Sequence, residues 1–360
     1  MSERWRELVR APLRPQAAYH VPSYPNAIKL DANESPYALS REALAKIATT
    51  LTRDLHRYPD ANAGELRALL AQQLGIDGTE LIFGNGSDEL LTLLCSAFGE
   101  PRAPGKEAIV MYPAPGFVVY KTAALSHGMA VVEVPLGSRF EADEAALLAA
   151  VEREQPNLIF LATPNNPTGT EWSRGFIEKL VAQHPQCITI VDEAYLAYTE
   201  ARSCIDLALA HPHCVVLQTL SKIGLAGLRV GYLVGRREVV AELEKVRPPY
   251  NLDTMSQRAA TVILRDHRSE IDAHASEVKT ERKKLFDALA TVPDLEVFPS
   301  GANFFLVRAP EATRLYHWLA ERGVVVRCFD RPGPLAGCLR ITVGTPDENA
   351  WLLDAIRAAR

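Results

Sequence analysis

Between residues 80 and 235 short apolar runs alternate with amphipathic stretches. Glu80–Phe83, Ala108–Tyr112, Ala130–Val134, Asn157–Ala162, Cys187–Val191, Cys214–Thr219 and Arg229–Val234 have strand length and strand composition. Asp88–Phe98, Phe117–His127, Glu141–Glu154 and Trp172–His184 lie between them and read as helices. This alternation predicts a largely parallel sheet with helices on both faces. Leu158–Ala162 is apolar throughout, as expected of a strand covered on both sides.

The flanking segments read differently. The first residues are irregular and Pro-rich (Pro12, Pro15, Pro22, Pro25). Helices are expected over Ser40–Thr50, with Ser40 as N-cap, and over Gly64–Leu74, where Leu66, Leu69, Leu70 and Leu74 share a face. His56–Asp60 reads as a turn. After a helix over Arg236–Pro248 comes a long charged helical region, Met255–Thr291. Strands at Leu295–Phe298, Asn303–Val307, Val324–Arg327 and Cys338–Val343 follow, with helices at Ala312–Arg322 and Glu348–Ala359. The expected fold class is α/β, with a large, mainly parallel-sheet domain and a smaller α+β domain. The expected division is 1–50 as the N-terminal part of the small domain, 51–250 as the large domain and 251–360 as the C-terminal small domain.

Composition narrows the function. The 360 residues carry 39 basic and 44 acidic side chains, a net charge of −5, which argues against a nucleic-acid groove. Apolar runs such as Leu90–Cys95 are core-sized, far short of the ~18 residues of a membrane span. The first residues mix acids and bases and lack an apolar core, unlike a signal peptide. Six cysteines without C-x-x-C spacing read as reduced thiols, and the expected location is the cytoplasm. His211-Pro212-His213 has no third ligand at suitable spacing, so no metal site is expected.

The candidate chemistry sits at three strand ends, where open α/β sheets bind ligands. One run continues into Thr163-Pro164-Asn165-Asn166-Pro167-Thr168-Gly169, the next into Asp192-Glu193-Ala194-Tyr195, and the third into Ser221-Lys222 and then Gly227-Leu228-Arg229. An acid, a lysine and an arginine together suit an anionic, amine-reactive ligand. Pyridoxal 5'-phosphate needs a lysine for its aldehyde, an acid beside its ring nitrogen and a phosphate cradle. Asp192 would serve the nitrogen, Tyr195 and Asn166 the ring oxygen, and Ser221 and Arg229 the phosphate. Phe83-Gly84-Asn85-Gly86-Ser87-Asp88-Glu89 joins a strand to a helix and turns backbone N–H groups toward an anion. Phe117, just after the next strand, can stack on a ring. A dinucleotide fingerprint is excluded because Glu89 replaces its third glycine.

In this order, Asn-Asn-Pro-Thr-Gly, Asp-Glu-Ala-Tyr and Ser-Lys with Gly-Leu-Arg resemble the fold-type-I pyridoxal-phosphate aminotransferases of classes I and II. Leu30–Tyr37, Arg57-Tyr58-Pro59, Gly86–Glu89, Leu220–Arg229 and Gly337–Thr345 are similar, more narrowly, to the histidinol-phosphate aminotransferases. The resemblance implies that Lys222 is the Schiff-base lysine and that Asp192 pairs with the pyridine nitrogen. It implies that Tyr195 and Asn166 hold the ring oxygen, and that Ser87, Asp88, Ser221 and Arg229 surround the phosphate. Phe117 takes a stacking position where many relatives have Tyr. Tyr58 would reach the phosphate of a neighbouring subunit, which implies a homodimer. Arg340 would bind the substrate carboxylate, and Arg327 and Tyr19 a substrate phosphate.

The expected activity is therefore transamination between L-histidinol phosphate and 2-oxoglutarate, in histidine biosynthesis. The small-molecule donor and acceptor are the expected partners, with no nucleic acid or membrane. The alternatives are an aromatic amino-acid aminotransferase, which does not need Arg327 or Tyr19, and a pyridoxal-phosphate-dependent threonine-phosphate decarboxylase.

Overall fold

The computed structural model describes residues 4–16, 24, 26–50 and 56–359. In chain order the elements begin with β1 (Ile28–Leu30), α1 (Arg41–Thr50), α2 (Gly64–Leu74), β2 (Leu81–Asn85), α3 (Ser87–Phe98), β3 (Ile109–Ala114), α4 (Val118–Ser126) and β4 (Ala130–Pro135). They continue with α5 (Glu144–Glu154), β5 (Leu158–Ala162), α6 (Arg174–Gln183), β6 (Ile188–Asp192), α7 (Ile205–Ala210), β7 (Cys214–Thr219), β8 (Val230–Val234) and α8 (Arg237–Glu244). The last third holds α9 (Thr254–Asp266), α10 (Arg268–Leu289), β9 (Glu296–Val297), β10 (Phe304–Arg308), α11 (Ala312–Glu321), β11 (Val324–Cys328), β12 (Cys338–Thr342) and α12 (Pro346–Arg357).

Seven strands form one sheet in the order β2-β8-β7-β6-β5-β3-β4. Only β8 runs against its neighbours, pairing antiparallel with both β2 and β7. Successive side chains of a strand point to opposite faces, and the core divides accordingly. Phe160, Ile190, Val215 and Leu217 pack with Leu90, Leu94, Tyr120 and Ala124 of α3 and α4. Ile159, Leu161, Val191 and Val216 pack with Leu147 of α5 and Phe176 and Leu180 of α6. Both faces are buried, which is why these strands read as unbroken apolar runs.

The second sheet has the order β1-β11-β12-β10-β9. β1 lies parallel to β11, pairing Ile28 with Val324 and Leu30 with Val326. The N-terminal segment thus joins strands from the end of the chain. Ala275, Val278, Leu285 and Leu289 of α10 and Leu352 and Ile356 of α12 close its core.

Three elements differ from expectation. The long helical region is two helices, parted at His267. Ala260, Ile263 and Leu264 of α9 pack against β2 and β8, whereas α10 from Ala275 onward faces the second core. One uninterrupted helix would have to serve both cores. β1, between the Pro-rich stretch and α1, and α7 answer to no expected element; both are too short for a periodic pattern to register. Ser40 does cap α1, its hydroxyl accepting from Ala43 N–H at 3.2 Å.

The pairing of β2 with β8 sets Gly84 opposite Gly231. A Cβ at Gly231 would collide with the backbone of Gly86 and Ser87, where the chain turns into α3. Gly231→Ala is therefore expected to cost about 1–3 kcal/mol of stability through overpacking. Chemical denaturation of the variant beside the unaltered protein measures this.

Candidate active site

β5 and β6 run side by side in parallel, with Ala162 opposite Asp192, and Asp192 opposite Leu217 of β7. Their C-terminal ends lie side by side, where open α/β sheets bind ligands. Asp192 closes β6 and is buried, at 6% exposure. Its Oδ2 accepts from Tyr120 Oη at 2.6 Å and its Oδ1 from Ala194 N–H at 3.1 Å. Burial raises its proton affinity, and these two hydrogen bonds oppose that rise. Tyr120 stacks on Phe160 with ring centroids 4.8 Å apart, which fixes its hydroxyl. Burial and the neighbouring Asp192 hold that phenol protonated far above its ordinary range, so it stays a donor. A buried carboxylate with both oxygens held in place suits a cationic N–H partner.

Lys222 lies in a short 3-10 turn, Ser221–Ile223, within the excursion between the antiparallel strands β7 and β8. Its Nζ sits 5.8 Å from the centroid of the Tyr195 ring. Tyr195 is buried, packs edge-on against Phe304, and accepts from Asn33 Nδ2 at 2.8 Å. Tyr198 Oη donates to the backbone oxygen of Lys222 at 2.5 Å and pins the turn.

The same excursion ends at Arg229, whose φ is 51°. Its carbonyl accepts from Gly86 N–H at 2.5 Å. Its guanidinium lies against Gly86, where a Cβ would strike it, and pairs with Asp88 Oδ2 at 3.2 Å. Ser87 and Asp88 open α3, whose N-terminal N–H groups and dipole favour an anion. Ser221 is buried close by in sequence to Lys222. The Ser87 and Ser221 hydroxyls, the backbone N–H groups of Ser87 and Asp88 and the Arg229 guanidinium are the types of donor that hold a phosphate.

Arg340 reaches this region from the second sheet. It is 8% exposed on β12, and its Nη1 donates to Asn166 Oδ1 at 2.6 Å. Its Nη2 donates to the Asp31 carbonyl at 2.5 Å. The rings of Phe304 and Phe329 flank it. Arg327 on β11 pairs in register with Arg340, so both arginines belong to adjacent strands at one level. Phe117 caps α4 and meets Tyr120 edge-on at 5.6 Å. Tyr58 stands apart, 81% exposed and stacked on Tyr250 at 4.6 Å. Tyr19 lies outside the described residues.

Direct contacts therefore join Asp192 to Tyr120, Arg340 to Asn166, and Arg229 to Asp88. Two buried participants, Tyr120 and Asn33, had no role in the sequence reading. Tyr120 lies three residues beyond Phe117 on an apolar helix and reads as core. Asn33 stands in a run of polar residues whose partners come from more than 150 positions away. Among the described residues, no cluster of His, Cys, Asp and Glu is placed to hold a metal, and no helix is long and apolar enough to cross a membrane.

A family model described as aminotransferase class I and II matches residues 25–356. A histidinol-phosphate aminotransferase of Chromobacterium violaceum is 42% identical, the match covering 98% of each chain. One from Ralstonia nicotianae is 41% identical, over 98% of this chain and 94% of that one. The crystal structure of histidinol-phosphate aminotransferase from Sinorhizobium meliloti in complex with pyridoxal-5'-phosphate superposes with a TM-score of 0.82 at 27% identity, covering 93% of this chain and 92% of that one. With the family model spanning most of its length, this chain belongs to the aminotransferase class I and II family.

Proposed function

We propose that this chain is a pyridoxal-phosphate-dependent transaminase that converts L-histidinol phosphate and 2-oxoglutarate to imidazole acetol phosphate and L-glutamate. The observation that carries the reading is the buried Asp192 carboxylate, held by Tyr120 and close enough to Lys222 for the lysine to lower its proton affinity; the Arg340–Asn166 hydrogen bond supports it. The relatives named histidinol-phosphate aminotransferase, at about 40% identity over nearly the whole chain, support the substrate. The donor set fits the cofactor, with a buried carboxylate for a cationic ring nitrogen and a glycine-lined, arginine-capped turn for a phosphate.

Bound there, pyridoxal phosphate supplies an aldehyde that exchanges amines and a ring that withdraws electrons. The chain's own residues do the rest. Lys222 would hold the aldehyde at rest, and its Nζ, once free, would carry the proton of the substrate Cα to the acceptor carbon. Asp192, kept in place by Tyr120, holds the proton on the ring nitrogen. Tyr195 and Asn166 orient the ring oxygen, and Phe117 covers a ring face. Ser87, Asp88, Ser221 and Arg229 hold the cofactor phosphate. Arg340 binds the carboxylate of the glutamate pair, in the planar fork that suits it, and Arg327 and Tyr19 the phosphate of histidinol phosphate.

The chain works as a cytoplasmic homodimer of two-lobed subunits, residues 51–250 forming most of the large lobe, with α9 packed onto it, and both chain ends forming the small one. Tyr58, largely exposed within one subunit, serves the cofactor phosphate of the partner.

Four outcomes test this reading. Lys222→Ala should lose the visible absorbance of the bound cofactor and its covalent fixation by borohydride; mass spectrometry showing the cofactor fixed elsewhere would refute the assignment. In single half-reactions, histidinol phosphate and glutamate should convert readily, and phenylalanine and threonine phosphate poorly. In the same panel Arg327→Ala should weaken histidinol phosphate about tenfold or more while sparing glutamate, the scale of one lost charged hydrogen bond; equal loss for both removes the phosphate role. Tyr58→Phe should loosen the cofactor in a protein that sediments as a dimer, whereas a fully active monomer contradicts shared sites.

A further inference from the structure

Asn33, Thr342 and Tyr195 are each less than 5% exposed, at 1%, 2% and 4%. They form a chain of hydrogen bonds from the second sheet to the candidate site. An amide side chain has one accepting and one donating end, and here the ends are distinguished. Thr342 accepts the backbone N–H of Asn33 at 3.0 Å, and its one hydroxyl hydrogen points to Asn33 Oδ1 at 3.4 Å. The accepting end of the amide is thereby turned to Thr342. The donating end faces Tyr195 Oη at 2.8 Å.

The backbone holds the amide in this place. Asn33 has φ 55°, in the left-handed region that Asn tolerates better than most residues. Its carbonyl accepts from Asn303 Nδ2 at 3.0 Å. Two residues earlier, the Asp31 carbonyl accepts from Arg340. The segment is fixed at both ends.

Tyr195 Oη therefore spends a lone pair on Asn33. Among the described residues, no acceptor lies within hydrogen-bond distance of its own hydrogen. The titratable and charged groups around it are Lys222, 5.8 Å from its ring, Asp192 three residues earlier on the strand end, the buried phenols of Tyr120 and Tyr198, and Arg340 beyond Asn33. We infer that Asn33 is a positioning residue: by donating to Tyr195 it turns the tyrosine O–H toward the site as a hydrogen-bond donor to the ring oxygen of the cofactor. This rests on the pyridoxal-phosphate reading above and adds to it how Tyr195 is oriented, and by what.

A donor aimed at an oxygen stabilises its anionic form and lowers the pH at which the bound chromophore deprotonates. The test is the absorbance-versus-pH midpoint of the cofactor-loaded protein, read without substrate. Asn33→Ala should raise the midpoint by about half to one pH unit, the scale of one hydrogen bond. Asn33→Asp should raise it further, because its carboxylate accepts the tyrosine hydrogen and draws it away. Thr342→Val should shift it the same way but less, and Thr342→Ser should keep the original midpoint, which keeps the test decisive if the Asn33 variants fold poorly. The shifts of the uncharged variants, Asn33→Ala and Thr342→Val, should vanish in a Tyr195→Phe background. A shift that persists there, or Asn33 and Thr342 variants that titrate like the unaltered protein while Tyr195→Phe does not, overturns the inference alone. An unaltered protein with no such chromophore overturns both it and the cofactor reading.

Discussion

The Asp192 carboxylate is the costly feature of this fold. Removing an ion from water costs several kcal/mol unless a partner compensates. Two hydrogen bonds, from Tyr120 and from the Ala194 N–H, offset only part of that cost, and the proton affinity of the carboxylate stays raised. A protonated heterocycle is the partner that would offset the remainder. Cofactor affinity and ring protonation then share one origin. The position follows from the sheet: β6 lies between two parallel strands, so its last residue is covered on both sides and below while its forward direction stays open.

The rest of the site is brought to that carboxylate along two routes. One is the excursion between β7 and β8. Because β8 reverses direction, the chain leaves β7 at Thr219 and returns along its neighbour at Val230. Lys222 and Arg229 are therefore carried by a single short loop whose two ends are hydrogen-bonded into adjacent strands. Long-range contacts fix that loop further: Tyr198 to the Lys222 carbonyl, and Gly86 and Asp88 to Arg229. The other route is the second sheet. Arg340 from β12 and Asn33, just past β1, enter from the side, and their contacts to Asn166 and Tyr195 join the two sheets at the candidate site.

The sequence made legible whatever depends on local order. The seven strands of the large sheet appear as apolar runs because both of its faces are covered, and Asp192, Lys222 and Asn166 follow because each ends a run. What it hid depends on distance or on brevity. Tyr120 sits among apolar neighbours on α4, and nothing local tells a packed tyrosine from one whose hydroxyl meets a carboxylate 72 positions away. β1 has three residues and owes its existence to β11, at the other end of the chain. The break at His267 carries no glycine or proline; it exists because two cores demand two helix directions. Tyr58, prominent in the motif, lies exposed with its ring stacked on Tyr250, away from Asp192 and Lys222 in the contacts of the described residues.

The polar residues at the seam of the two sheets also explain why so much of the N-terminal segment is needed. Asp31 and Asn33 give the small sheet only backbone atoms and a short side chain, which an apolar residue would replace at little loss to packing. Their value lies in directed hydrogen bonds. The Asp31 carbonyl fixes one edge of the Arg340 guanidinium while Asn166 fixes another, which leaves the fork only one orientation at the site. Asn33 does the same for Tyr195. Directed bonds of this kind add modest net stability but remove orientations, and a site that must hold a ring and a carboxylate in register depends on removing orientations. The seam is polar because its role is to aim side chains, while the apolar cores on either side supply the stability that lets it do so.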